Sequence, residues 1–210
     1  MRTKLILLAF LAGFLNFGSF GQESRMSQAE ITAFKQAVAN TSKQIKTLST
    51  DFVQYKHMEF LSKEIQSSGK MVYVKPTSLL WQYKKPYNYA IVFKNDKIVI
   101  NDEGKSSKFD VGNSEVFGKL NNLMVRSVSG DLFDEKEFEI SYQKASNSYR
   151  ASLIPRDAAL KKYIREIQLT FGKDANLNEV KLFETEVDYT RILFVNKQLN
   201  GKVDESVFAK

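Results

Sequence analysis

Few side chains of this 210-residue chain could take part in covalent or metal chemistry. His57 is its single histidine and cysteine is absent, which excludes disulfides, thiolate nucleophiles and Cys/His metal sites. His57 lies between Lys56 and Met58 near a predicted strand end and reads as an exposed histidine rather than a general base. No G-x-S-x-G turn presents a serine to it. Carboxylates cluster at Asp131, Asp134 and Glu135 and again at Asp102 and Glu103, but neither group has the ligand spacing of a calcium loop. Neither G-x-G-x-x-G nor G-x-x-x-x-G-K-[ST] occurs, so nothing favours a nucleotide fold. A pair of carboxylates distant in sequence stays open as a glycosidase arrangement. The balance is against an enzyme, and no cofactor is expected.

The chain is instead rich in large apolar side chains. Phe and Tyr total 25, of which Phe10, Phe14, Phe17 and Phe20 lie in the first 21 residues, and Trp81 is the only tryptophan. Those remaining can fill an ordinary core. On a sheet covered by helices they can also line a cavity for hydrocarbon, with polar groups confined to its mouth. At about 0.8 kcal/mol for each buried CH₂, one acyl chain would bind usefully and reversibly.

The elements that must position these residues follow from periodicity. Arg2 and Lys4, the apolar run Leu5–Leu15, and the small residues Ser19 and Gly21 form a secretory leader with cleavage expected after Gly21. The run is shorter than the roughly 20 apolar residues that span a bilayer. Residues 22–210 are then expected to fold as one domain outside the cytoplasm, in the periplasm. Ser27-x-x-Glu30 is a capping box, and behind it Ile31, Phe34 and Val38, continued by Thr41, Ile45 and Leu48, predict a helix of roughly twenty residues. Period-two alternation follows at Phe52/Gln54, Met71/Tyr73, Leu79/Trp81/Tyr83, Tyr89/Ile91/Phe93 and Ile98/Ile100. It resumes at Phe138/Ile140/Tyr142, Ala151/Leu153, Ile167/Leu169/Phe171, Val180/Leu182 and Ile192/Phe194, with a hairpin turn at Lys173–Asn176. Between these blocks Val116, Leu120 and Leu123, flanked by Phe117, Met124 and Val128, predict a second helix ahead of Gly130. The fold class is mainly β (α+β): an unclosed antiparallel barrel of about ten or eleven strands, with two or three helices against one face.

After the leader, 29 basic and 24 acidic side chains remain, a formal charge of +5. The lysines are scattered rather than gathered in a stripe, which excludes a nucleic-acid binder that must neutralise several phosphates in one place.

The order of residues from Phe52 onward resembles the LolA-type outer-membrane lipoprotein carrier family. Phe52-x-Gln54, Gly69-x-Met71, Lys75-Pro76-x-x-Leu79-x-Trp81-x-Tyr83-x-x-Pro86 and Asn95-Asp96-Lys97 follow one another as in that family. Leu153-x-Pro155, the Ile167–Phe171 strand, Leu177–Leu182, Thr190-x-Ile192-x-Phe194 and Leu199-Asn200 leading to Phe208 extend the likeness over nearly all of residues 34–208. Asp96 and Lys97 keep the family's D-G-K turn but its usual Gly is replaced, and many relatives carry a further loop and strand after the position of Phe208.

The resemblance implies a monomeric half-barrel with a helical lid that carries acylated lipoproteins, or other lipids, through the periplasm. It implies an inner-membrane ABC-type transporter as donor and an outer-membrane acceptor. The expected lipid cavity comprises Phe52, Met71, Tyr73, Trp81, Ile91, Phe93, Phe117, Leu120 and Met124. By the same resemblance Lys75 would latch the lid, and Leu79, exposed near the mouth, would pass cargo on. Lysine lacks the five-donor fork of the arginine usual at the latch position. A carrier of a non-protein lipid and an interaction module without transport are the alternatives.

Overall fold

The computed structural model describes residues 23–94, 97–102, 105–110 and 133–208. Ser27 opens the one α-helix among them, α1 (Gln28–Gln44). Its side chain accepts from the Glu30 N–H at 3.4 Å, while Glu30 Oε2 accepts from the Ser27 N–H at 2.8 Å, the reciprocal capping box that the sequence predicts. Phe34 and Val38 are buried on one face, with Ile31 half-buried beside them.

The helix is 17 residues long and stops before the expected end of its stripe. Ile45 is already extended, and Leu48 belongs to the first long strand. Two competing signals decide this. From Leu48 the chain alternates as Leu48, Thr50, Phe52, and the side chain of Asn200 seizes the end of the helix. Asn200 Nδ2 donates to the Gln44 carbonyl at 3.0 Å, and Asn200 Oδ1 accepts from the Lys46 N–H at 2.7 Å.

The strands are β1 (Ser24–Arg25), β2 (Thr47–His57), β3 (Ile65–Val74), β4 (Ser78–Lys85), β5 (Tyr89–Lys94), β6 (Lys97–Asp102), β7 (Lys105–Asp110), β8 (Phe138–Lys144), β9 (Ser148–Pro155), β10 (Glu166–Gly172), β11 (Leu177–Phe183) and β12 (Tyr189–Leu199). They form a single open antiparallel sheet ordered β1-β8-β9-β10-β11-β12-β2-β3-β4-β5-β6-β7. Eleven strands have six or more residues, and β1 has two. The expected turn at 173–176 joins β10 to β11, with Ala175 at φ 60°. The second predicted helix, with Phe117, Leu120 and Met124, lies outside the described residues, as does the leader.

Directly paired residues share a face of a sheet, so the register traces one continuous, largely apolar surface. One row runs Leu48–Tyr73–Leu79–Phe93–Ile98, the next Thr50–Met71–Trp81–Ile91–Ile100. On the other side of β12 the row Ala151–Leu169–Val180–Ile192–Gln54 continues the same face. Helix α1 lies on this inner face over β8–β10, where Phe34 meets Phe171, Tyr142 and Tyr149. The opposite face of β3–β6 carries Val72, Leu80, Ala90 and Val92, and the 3-10 turn Glu205–Phe208 covers them with Phe208.

Candidate functional site

Six of the nine residues expected to line a lipid cavity fall within the described part, and all six join one cluster on the inner face of β2–β6. Phe52, Met71, Tyr73, Trp81 and Phe93 are buried there, and Ile91 packs half-buried at their edge. Strand alternation puts them on one side, and in-register pairing brings them within reach of each other. The rings of Phe52 and Trp81 stack with centroids 4.3 Å apart, and Phe194 from β12 meets Trp81 edge-on at 6.2 Å.

Among the described residues the few polar atoms that reach this cluster are hydrogen-bonded: the buried Thr50 hydroxyl donates to the Val195 carbonyl at 2.7 Å and the Tyr73 hydroxyl to the Pro76 carbonyl at 3.2 Å. Tyr83 donates its hydroxyl to Gln54 Oε1 at 2.9 Å and stacks on Tyr89 at 4.5 Å. Burial, reinforced by Tyr83, pushes the Tyr89 hydroxyl up to about 12, so it stays neutral at any physiological pH. Where charge does reach the inner face beside Thr190, Lys56 is paired with Glu184, which also accepts from the Thr190 hydroxyl at 3.2 Å.

Two expected roles meet the structure differently. Leu79 was expected to be exposed near a mouth, but it is 0% exposed. The inward parity of its strand, opposite Tyr73 and Phe93, seals it in the cluster. Handing cargo on would therefore require the cluster to part above it. Lys75 is exposed in the turn between β3 and β4, where its backbone N–H donates to the Lys46 carbonyl at 2.9 Å. Its side chain has no partner among the described residues. His57 is the last residue of β2, half-buried rather than fully exposed, stacked on Tyr189 with Nδ1 4.0 Å from Glu64 Oε1. Asp134 caps a turn through the Lys136 N–H at 2.9 Å, and Glu135 pairs with Lys35 at 2.6 Å. Among the described residues no three His, Asp or Glu side chains stand together as metal ligands would.

Sequence reading missed the place where the inner face opens. A cavity of about 40 Å³ lies at the C-terminal end of α1, between Ile45, Leu48, Met71, Phe171, Leu177 and Phe194. That volume is room for a water or two and is too small for an acyl chain. Outward it adjoins a more open hollow of about 400 Å³, where Asp174, Asn176, Asn178 and Lys197 stand with the apolar Phe194 and Leu199. The only trace of this in the sequence is the broken alternation after Phe194.

No helix of the described residues is long and apolar enough to cross a membrane. No curated protein matches the chain. Solved structures similar to it include a LolA superfamily protein from Nitrosomonas europaea, at 7% identity over 84% of this chain and 97% of that one with a TM-score of 0.44. LprF from Mycobacterium bovis is similar at 12% identity, 86% and 97% coverage and a TM-score of 0.47. The lipoprotein LppX from Mycobacterium tuberculosis is similar at 9% identity, 85% and 100% coverage and a TM-score of 0.44. The family profile described as "Outer membrane lipoprotein carrier protein LolA" matches residues 43–210, most of the chain, and the protein therefore belongs to the LolA family.

Proposed function

We propose that the protein carries the acyl chains of lipoproteins across the periplasm, from an inner-membrane ABC-type transporter to an acceptor in the outer membrane. The observation that supports this best is the cluster around Trp81, a largely apolar face whose few polar atoms are hydrogen-bonded, in a chain of this family. In the state described here the rings of that face lie against one another, so uptake must separate them. Transfer then needs no covalent step, only a higher affinity for acyl chains at each later station. Phe52, Met71, Tyr73, Trp81, Ile91 and Phe93 would contact the chains. Phe117, Leu120 and Met124 would close over them, with Lys75 holding that closure.

Trp81, as the only tryptophan, reports on its own surroundings. A fatty acid brominated along its chain should quench its fluorescence on binding, and native mass spectrometry of protein from a periplasmic extract should show an acylated polypeptide as added mass. Unquenched Trp81 with no added mass would overturn the proposal. A pure lipid as the added mass would move it to a carrier of a non-protein lipid.

A further inference from the structure

β12 changes face partway along its length. Its residues Thr190, Ile192 and Phe194 point inward, opposite Lys56, Gln54 and Phe52 of β2. Continued alternation would next bring in Asn196 and Gln198. Instead the register slips between Val195, which pairs with Asp51, and Gln198, which pairs with Ser49. Asn196 and Lys197 therefore stand together opposite the single residue Thr50, a β-bulge. Asn196 adopts φ 55° there, and Thr50 donates its buried hydroxyl to the Val195 carbonyl at 2.7 Å. The slip turns Lys197 and Leu199 inward. Lys197 thus lines both the small, mostly apolar cavity and the wider hollow of mixed polarity outside it, and stands where the two meet.

Among the described residues no carboxylate is in hydrogen-bond contact with the charge at that boundary. The Lys197 ammonium donates to the neutral Asn178 Oδ1. Asp174, the carboxylate lining the same hollow, directs its two oxygens to the backbone and side-chain N–H groups of Asn176, at 3.1 and 2.8 Å. Burial lowers the Lys197 pKa while Asp174 raises it only in part, so the ammonium gains by meeting an anion. Lys56 on the same face lies beside Glu184.

We propose that Lys197 is a headgroup site. It takes the anionic head, a carboxylate or phosphate, of an amphiphile whose hydrocarbon passes between Met71, Phe194 and Leu48 into the apolar interior, with the Asn176 and Asn178 amides beside the head. This rests on the acyl-carrier reading and turns its cargo toward a non-protein lipid, because the acyl chains of a lipoprotein are joined through neutral ester and amide links and bring no anionic head.

Binding of a dansyl-labelled fatty acid and of its methyl ester to the full-length mature chain separates the two ideas. The wild type should bind the acid about tenfold more tightly than the ester, the scale of one charge-assisted hydrogen bond. Lys197→Met should lose that preference and leave ester binding unchanged, and Lys197→Arg should restore it. Circular dichroism checks that each variant is folded. Equal binding of acid and ester by the wild type would overturn the headgroup site and leave the carrier standing. So would an acid preference that survives in Lys197→Met. Binding of neither probe would overturn both ideas. Displacement of the acid by inorganic phosphate alone would make this a free-anion site and overturn the link to the hydrocarbon.

Discussion

Gly69 shows why a family motif can depend on a residue with no side chain. It sits in β3 between Phe52 and Tyr83, beneath the stack that Phe52 makes with Trp81. A Cβ added there would stand 1.9 Å from the Gln82 carbonyl oxygen and 2.7 Å from the tip of the Phe52 ring. The oxygen belongs to the backbone and cannot swing aside. We expect Gly69→Ala to cost about 1–3 kcal/mol in urea denaturation and to blue- or red-shift Trp81 emission as the ring is displaced. A variant of unchanged stability and unchanged spectrum would refute that account. At this scale sequence reading went far. The alternation of Met71, Tyr73, Trp81 and Phe93 announces a shared face, because a side-chain period of two is a local property. It erred on Leu79, since how deeply a residue is covered depends on what packs above it and not on its own strand.

Helix α1 is specified at both ends by partners of different visibility. Its start is written within four residues, Ser27 to Glu30, and was legible. The contact that adds to it, Lys144 from β8 to the Glu30 carboxylate, was not. That lysine, with the Ser27 N–H and hydroxyl, lowers the Glu30 pKa to about 2. A carboxyl depressed below its unfolded value contributes stability that is complete above about 4.5 and is lost as pH falls toward 2. Unfolding titrations of the wild type should therefore lose stability between those values, and Glu30→Gln should flatten this part of the curve. A Glu30→Gln profile parallel to the wild type would count against the linkage. The end of the helix was illegible because its partner, Asn200, lies at the far end of the chain. Asn200 holds φ 57°, a conformation that asparagine tolerates better than most residues, and exchanges bonds with Gln44, Lys46 and Thr47. Asn200→Ala should cost about 2 kcal/mol by thermal unfolding, and Asn200→Asp less, since it keeps the acceptor. Equal losses would place the cost in the backbone alone.

At the scale of the molecule the described strands β2 to β7 and β8 to β12 form two meanders, with β1 added beside β8, and of this the sequence showed the antiparallel character and the turn at 173–176. Which strands meet across the middle was not legible, because no local signal records a pairing between the first and last long strands. That pairing is extensive. β2 and β12 have 11 residues each and run side by side from Tyr189–His57 to Leu199–Leu48.

The seam has a consequence for how the chain reaches this structure. Until Tyr189–Leu199 is present, β2 offers a full row of unpaired N–H and C=O groups, an edge that a second chain can take as readily as the correct strand. Closing the seam means closing a loop over most of the chain, and such pairings form slowly. Refolding from urea should therefore compete with association. Recovered monomer should fall as concentration rises over about a hundredfold range, and recovery independent of concentration would contradict this. A chain threaded outward from its N-terminus would meet the same hazard, its first long strand arriving well before the strand that completes it.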